Sequence, residues 1–268
     1  MAKTSDLEAE KIKNNLNCVL IGSEVLVFDE VHSTNDLAKR YLEQNVQDGL
    51  VLIADSQTQG RGRLGRAWHS APGVGLYLSV VLKPRLETEH LPQLTLLAGL
   101  ATVIAVNSFA GQKARLKWPN DILLNGKKLA GVLCEYCLPA QGDPAVILGI
   151  GVNVNHAAQS FPEDLRAIAT SLRIETGNRF DRQALLLAIL RNLDHEYETY
   201  LLGGEQSVLK KWSDHTDMFG KKIRITKGPA VIHGTALGLD SWGKLRVRTE
   251  TGEEVGCDSG EVSLEMSR

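Results

Sequence analysis

Seven consecutive positions, Gly60-Arg61-Gly62-Arg63-Leu64-Gly65-Arg66, carry three glycines and three arginines. Glycine lets main-chain N–H groups approach a ligand closely and reach positive φ. Arginine adds a permanent, forked cation that matches carboxylate or phosphate oxygens. The combination reads as a loop that wraps an anion. A second concentration of polar groups is Lys117-Trp118-Pro119-Asn120-Asp121. Its lysine can neutralise a carboxylate or phosphate, and Asn120 and Asp121 can hold a hydroxyl or a metal-bound water. Pro119 restrains the backbone, although Pro-Asn-Asp is also good chemistry for a plain turn. Ser33-Thr34-Asn35 is a third: two hydroxyls and an amide that either cap a helix or face a neutral polar ligand.

Several other chemistries fail on context. Gly60-x-Gly62-x-x-Gly65 has dinucleotide-fingerprint spacing, which requires a helix opening inside it. The residues that follow, Ala67-Trp68-His69-Ser70-Ala71-Pro72-Gly73, argue against a helix. No Gly-Lys-Ser/Thr follows, so a Walker loop fails too. Cys134 and Cys137 form a C-x-x-C without a second ligand pair to complete a zinc site. On a strand, residues three apart point to opposite faces. A solvated basic turn, or an Arg–Gly element that binds nucleic acid, remains as an alternative for the cationic loop. Against both, the loop lies between apolar strands of a packed domain.

The elements that must carry these groups follow from periodicity and turn chemistry. Helices are expected at Leu7–Leu16, Asp36–Gln44 (capped by Ser33 or Thr34), Leu91–Phe109 and Asp181–Leu202. Strands are expected at Val25–Phe28, Leu50–Ala54, Gly75–Leu82 and Ala145–Asn155. Ile122–Leu124 and Lys127–Leu133 flank Asn125-Gly126, a strong two-residue hairpin signal. After Trp212 the texture changes to short runs at Phe219–Thr226, Ala230–Leu237, Lys244–Thr249 and Glu253–Cys257. That pattern suggests a small all-β barrel beyond a boundary near 215–218.

The 268 residues leave room for one medium domain plus a small one. Hydrophobic residues at 43% and charged residues at 23% suit a soluble chain with a substantial core. A net charge of −2 makes the cationic loop a local device, since general nucleic-acid binders carry a basic stripe. The apolar stretch Leu94–Val106 reads as too short to span a bilayer. Met1–Asn17 has no secretory apolar core. The expectation is a cytoplasmic protein without membrane attachment.

Taken together, these motifs resemble the biotin protein ligase, or biotin–[acetyl-CoA-carboxylase] ligase, family over almost the whole chain. The resemblance is carried by Ser33-Thr34-Asn35, Ala54–Arg66, Trp68–Leu78, Lys117–Asp121, Lys128–Leu133, Gly149–Asn153 and Gly260–Leu264. Leu64 departs from a position that is often basic, and His32 stands where an acidic residue is common. The family implies an α+β fold: a mixed-sheet catalytic domain of the class II synthetase-like, lipoate-ligase-like type with helices packed on it, over residues 1–217. An SH3-like β-barrel is expected over residues 218–268.

The resemblance also implies a reaction. Biotin's carboxylate attacks the α-phosphate of ATP, giving biotinyl-5′-AMP and pyrophosphate, and a lysine of a biotin carboxyl carrier protein then takes the acyl group and releases AMP. Ser33, Thr34, Asn35, Gln57, Arg61, Gly62, Arg63 and Lys117 are implied to bind biotin, with Lys117 and Arg63 as catalytic cations. Arg63, Arg66, Asn120, Asp121, Gly131 and Asn153 are implied on the ATP and adenylate side, and Asp121 as a Mg2+ ligand. Trp118 reads as a packing residue. Dimerisation through the central sheet is a further family expectation. Some members carry an N-terminal winged helix-turn-helix. Ser33 follows only about thirty residues, too few for such a domain, so no operator DNA binding is expected. A lipoate or octanoate ligase of related fold is the competing enzyme.

Overall fold

The computed structural model describes residues 6–84, 88–140 and 142–264. Its larger sheet has seven strands: β1 (Val25–Val31), β2 (Leu50–Gln57), β3 (Gly75–Leu82), β4 (Arg115–Lys117), β5 (Asp121–Leu124), β6 (Lys127–Cys137) and β7 (Ala145–Asn153). They lie in the order β1-β2-β3-β7-β6-β5-β4, with β1–β2 parallel and every other pair antiparallel. β3 is buried along its whole length, as a strand covered on both faces must be.

Helices cover the two faces unequally. Helix α1 (Ala9–Leu16) packs on β1 and, with α3 (Leu91–Ala110), α5 (Arg182–Leu201) and α6 (Glu205–Asp214), encloses the main core; α4 (Leu172–Thr176) is a short turn beside it. Helix α2 (Thr34–Leu42) covers the opposite face alone, setting Ala38 and Leu42 on Leu50, Leu52, Val81, Ala145 and Ile147. The remainder of that second face is open, and there the cavity forms. Cys134 packs with the first core and Cys137 with the second, so the C-x-x-C straddles the sheet. Burial pushes the Cys134 thiol up to about 12.

Local signals explain most element ends. Ser33 caps α2 by accepting from the Asp36 N–H at 3.4 Å, so the helix begins at Thr34 rather than Asp36. Asp181 caps α5 through the Ala184 N–H. Asn125 and Gly126 both have positive φ (50° and 79°), as a tight hairpin turn between twisted strands demands. β1, β2 and β6 run further than their apolar cores suggest. Strand β4 and helices α4 and α6 were not expected; the two shorter elements hold too few residues for periodicity to register. Helix α3 corrects the reading of Leu94–Val106: the whole helix has twenty residues and is long and apolar enough to cross a membrane, yet most of it is buried against α5, α6 and the sheet.

The smaller sheet holds β8 (Lys222–Lys227), β9 (Ala230–Leu239), β10 (Leu245–Thr249), β11 (Glu254–Cys257) and β12 (Glu261–Leu264), all antiparallel, in the order β11-β10-β9-β8-β12. Its turn at 240–244 docks on the larger unit. The buried Trp118 indole donates to Gly243 O at 3.1 Å, and Gln93 Nε2 donates to Ser241 O at 2.7 Å. Trp118 is thus a packing residue, as expected.

Candidate active site

Register on the open face of the larger sheet builds the floor of the site. One lateral row runs Lys117, Asp121, Gly131, Gly151, because these residues face one another across β4, β5, β6 and β7. Two residues further along, the row is Leu133, Gly149, Ser79. The glycines leave room for large groups laid flat on the sheet. A Cβ on Gly151 would sit 2.5 Å from Trp68 Cε2, and one on Gly149 would sit 2.3 Å from Asn35 Oδ1. Above this floor is a cavity of about 590 Å3.

The cationic loop forms its lid as an ordered hairpin. Arg61 pairs with Ala67, Gly62 N donates to Arg66 O at 2.7 Å, and Trp68 N donates to Gly60 O at 2.8 Å. Gly60 is obligatory, since a Cβ there would meet Trp68 O at 2.5 Å. The three arginines have different partners. Arg61 is held by Asp36 and by Glu135 at 3.0 Å, and Arg66 by Glu261 of β12 at 2.6 Å. Arg63 donates to the neutral Asn120 Oδ1 at 3.1 Å and meets no carboxylate among the described residues. Burial pulls its guanidinium below the usual value, and Arg66 adds to this, against the charges of Asp121 and Glu261. An anion placed beside Arg63 would relieve that cost.

The ends of the cavity differ in character. At one end, Thr34 N and Oγ1 donate to Gln57 Oε1 at 2.8 and 3.2 Å, and Gln57 Nε2 donates to Ser70 Oγ at 2.8 Å. Asn35 donates to Leu133 O and Glu135 and accepts from Ser79 Oγ at 2.6 Å. At the other end, Asp121 holds two ammonium groups, Lys128 Nζ at 2.5 Å and Lys117 Nζ at 3.5 Å. Lys128 also stands 5.4 Å above the Trp68 ring centroid. The arrangement suits an elongated molecule with a neutral polar head and an anionic tail.

Comparison with known proteins agrees with this geometry. Residues 27–155 match the model of the biotin/lipoate A/B protein ligase family, and residues 218–265 match that of the biotin protein ligase C terminal domain. The bifunctional ligase/repressor BirA of Bacillus spizizenii is 36% identical over 250 residues, covering 93% of this chain and 77% of that protein. The chain belongs to the biotin protein ligase family. This ligase is also 34% identical to the biotin–[acetyl-CoA-carboxylase] ligase of Paracoccus denitrificans over 229 residues, 83% of this chain and 93% of that one. A solved structure of a biotin protein ligase from Aquifex aeolicus, in complex with biotin and ATP, matches it with a TM-score of 0.80 at 36% identity, covering 91% of this chain and 100% of that one.

Every site residue expected from the sequence of this ligase lines this one cavity, including Gly62, Gly131 and Asn153. Their environments vary: Asn35 and Gln57 already spend most of their hydrogen-bonding capacity on the protein. Sequence reasoning passed over Lys128, Trp68, Glu135 and Glu261 as site residues. Trp68 had a usable signal, an aromatic residue two positions after a glycine–arginine loop. Its indole N–H is buried and has no partner among the described residues.

Proposed function

We propose that this chain biotinylates one lysine of the biotin carboxyl carrier protein of acetyl-CoA carboxylase, or of a similar carboxylase, through biotinyl-5′-AMP. In this reading residues 1–217 bind biotin and ATP, and residues 218–268 close the site. The observation that carries it is the division of one cavity into a neutral hydrogen-bonding end and a cationic end under an arginine lid.

The chemistry suits that division. Ser33, Thr34, Asn35 and Gln57 present hydroxyl and amide groups to the ureido ring. Lys117 and Arg63 receive the biotin carboxylate and the α-phosphate, with Lys128 beside them. Two like charges about 4 Å apart repel by roughly 4 kcal/mol at an effective dielectric of about 20. Fixed cations offset that repulsion without reorganising during the reaction. Asn120 aims Arg63, and Asp121 aims the two lysines. Arg66, Gly131 and Asn153 lie on the nucleotide side. The lid keeps water from the mixed anhydride until the acceptor amine arrives, attacks the acyl carbon and releases AMP.

Asp121 does not fit the expectation of a Mg2+ ligand. Both its oxygens face ammonium groups, so it could take a cation only if Lys117 or Lys128 moved away. No step is assigned to a metal held by this chain.

The test is incubation with Mg·ATP, a biotin carrier domain, and biotin and lipoate side by side, read by mass spectrometry. Addition of one biotinyl group to one lysine, with pyrophosphate released before the carrier is supplied, is expected. Lipoyl transfer instead, or no transfer, overturns the reading.

A further inference from the structure

Glu135 lies on β6 next to the cavity-lining Leu133, with its side chain 17% exposed, and it holds three groups, two from α2 and one from the lid. Its Oε1 accepts from Lys39 Nζ of α2 at 2.7 Å and from Arg61 of the lid at 3.0 Å. Its Oε2 accepts from Asn35 Nδ2 at 2.8 Å. A lone surface carboxylate with one lysine would be unremarkable. A carboxylate shared between the cavity floor and the stem of the lid is a different object.

The Asn35 amide shows the first consequence. An amide has two donors on nitrogen and two lone pairs on oxygen. Both donors are used, on Glu135 and on Leu133 O at 3.3 Å, and Ser79 takes one lone pair. Turning the amide over would set its oxygen against a carboxylate and a carbonyl. Glu135 thereby fixes which face Asn35 shows the cavity: an acceptor with one lone pair free, pressed over Gly149. The second consequence is mechanical. Arg61 pairs with Ala67 in the stem of the lid hairpin, so the tie from Glu135 anchors that stem to the sheet.

We infer that Glu135 is a positioning residue of this ligase: it sets the Asn35 amide to accept an N–H of the bound ring and tethers the lid through Arg61, so that one carboxylate couples ring recognition to retention of the adenylate. The inference rests on the biotin-ligase reading and names a determinant of its specificity. Burial alone would raise the Glu135 carboxyl, but the Lys39 and Asn35 donors and the charges of Lys39 and Arg61 hold it below its usual value, so it stays ionised.

The experiment compares wild type, Glu135→Ala, Glu135→Gln, Arg61→Ala, the double variant Arg61→Ala/Glu135→Ala, and Lys39→Ala. Readouts are biotin-dependent pyrophosphate–ATP exchange, KM for biotin and for ATP, and the rate at which biotinyl-AMP leaves the enzyme. Wild type without exchange would defeat the functional reading itself. With exchange present, Glu135→Ala is expected to raise KM for biotin about tenfold and leave KM for ATP within about twofold. It also speeds adenylate release, and the double variant releases no faster than Arg61→Ala alone, the non-additivity of a shared path. Glu135→Gln keeps an acceptor for Asn35 but loses the charge, so it speeds release with a smaller change in biotin KM. It carries the test if Glu135→Ala does not fold. Lys39→Ala removes one donor to Glu135 but keeps its bonds to Asn35 and Arg61, so biotin KM changes less than in Glu135→Ala. A merely structural role would lower thermal stability and shift both KM values together. Either that result, or an unchanged adenylate release in Glu135→Gln, overturns the inference.

Discussion

Arg63 and Lys117 share the cationic end of the cavity but are held differently, and their variants should fail differently. Lys117 is braced by Asp121. Lys117→Ala removes a preorganised cation from the point where charge develops, so the rate of pyrophosphate release should fall about 10²–10³-fold, with KM for biotin changed far less. Arg63 is half-buried beside a neutral amide and gains most from a bound anion. Arg63→Gly should chiefly speed loss of biotinyl-AMP, by roughly 10–100-fold for one charged hydrogen bond. Stopped-flow release and single-turnover adenylation separate the two. Away from the chemistry, His156 is fully buried, stacked 4.8 Å from the Phe161 ring that lines the cavity, with Tyr77 Oη 3.4 Å from its Nε2. Burial, then the charges of His69 and Arg182, pull it down to about 4. The unfolded imidazole titrates near 6.5, so the unfolded chain takes the proton first. Stability is fully present above that pH and is lost as pH falls from about 6.5 toward 4, by roughly 3 kcal/mol in all. Thermal unfolding between pH 7.5 and 5 should show this slope, and His156→Phe should flatten it. Lys117 and Arg63 were legible because each sits in a dense motif. Lys128 was not. In the sequence it is one of two lysines after a hairpin turn, a solvated pair by appearance. The register of β5 against β6 shifts between Ile122 and Leu123, so Leu123 faces Lys128. That bulge sends Leu129 to the core and turns Lys128 onto the cavity face. One extra residue reverses every side chain beyond it, and nothing in composition announces it.

Among the elements, β7 carries the strictest demands. Its Gly149 and Gly151 point the same way, toward the cavity, and each underlies a different large group. The extent of β7 and of β3 was readable from apolar runs bounded by turns, and the hairpin from Asn125-Gly126. The function of the β7 glycines was not, because a glycine in a strand signals only that something approaches closely. What approaches is Asn35 from α2 and Trp68 from the lid, both remote in sequence. Gly131 and Gly151 allow a graded test. A Cβ on Gly151 would meet the Trp68 indole at 2.5 Å, whereas one on Gly131 would meet Trp68 and the Lys128 chain at 3.2 Å. Gly151→Ala must displace the indole, a cost of about 1–3 kcal/mol for an overpacked site. Its adenylation should fall at least about tenfold. Gly131→Ala needs only small movements of a flexible lysine and should be several-fold milder. Equal losses in pyrophosphate release would show that the indole does not rest on β7 during turnover.

At the scale of the whole molecule, the two sheets meet at the site. The docking of Trp118 on Gly243 joins positions 125 residues apart, and the Arg66–Glu261 pair spans 195. Pairings at such separations leave no periodicity in the chain, which is why the second sheet was legible as a run of short strands while its share of the cavity wall was not. The two contacts differ in kind. Trp118 is buried and structural. Arg66 and Glu261 are largely exposed, with side chains 67% and 39% accessible, so their pairing contributes under about 1 kcal/mol to folding. The same small energy acts on the lid alone, where it counts against a local opening rather than global unfolding. Glu261→Ala should therefore leave thermal unfolding almost unchanged and yet speed adenylate release several-fold. Salt provides the control, because exposed pairs are screened with a Debye length of about 8 Å at 0.15 M. Adenylate release from wild type should rise with added NaCl, and Glu261→Ala should show a weaker rise, having already lost one screened contact. If both proteins respond to salt identically and release adenylate at the same rate, the second sheet forms a wall of the site without restraining its lid.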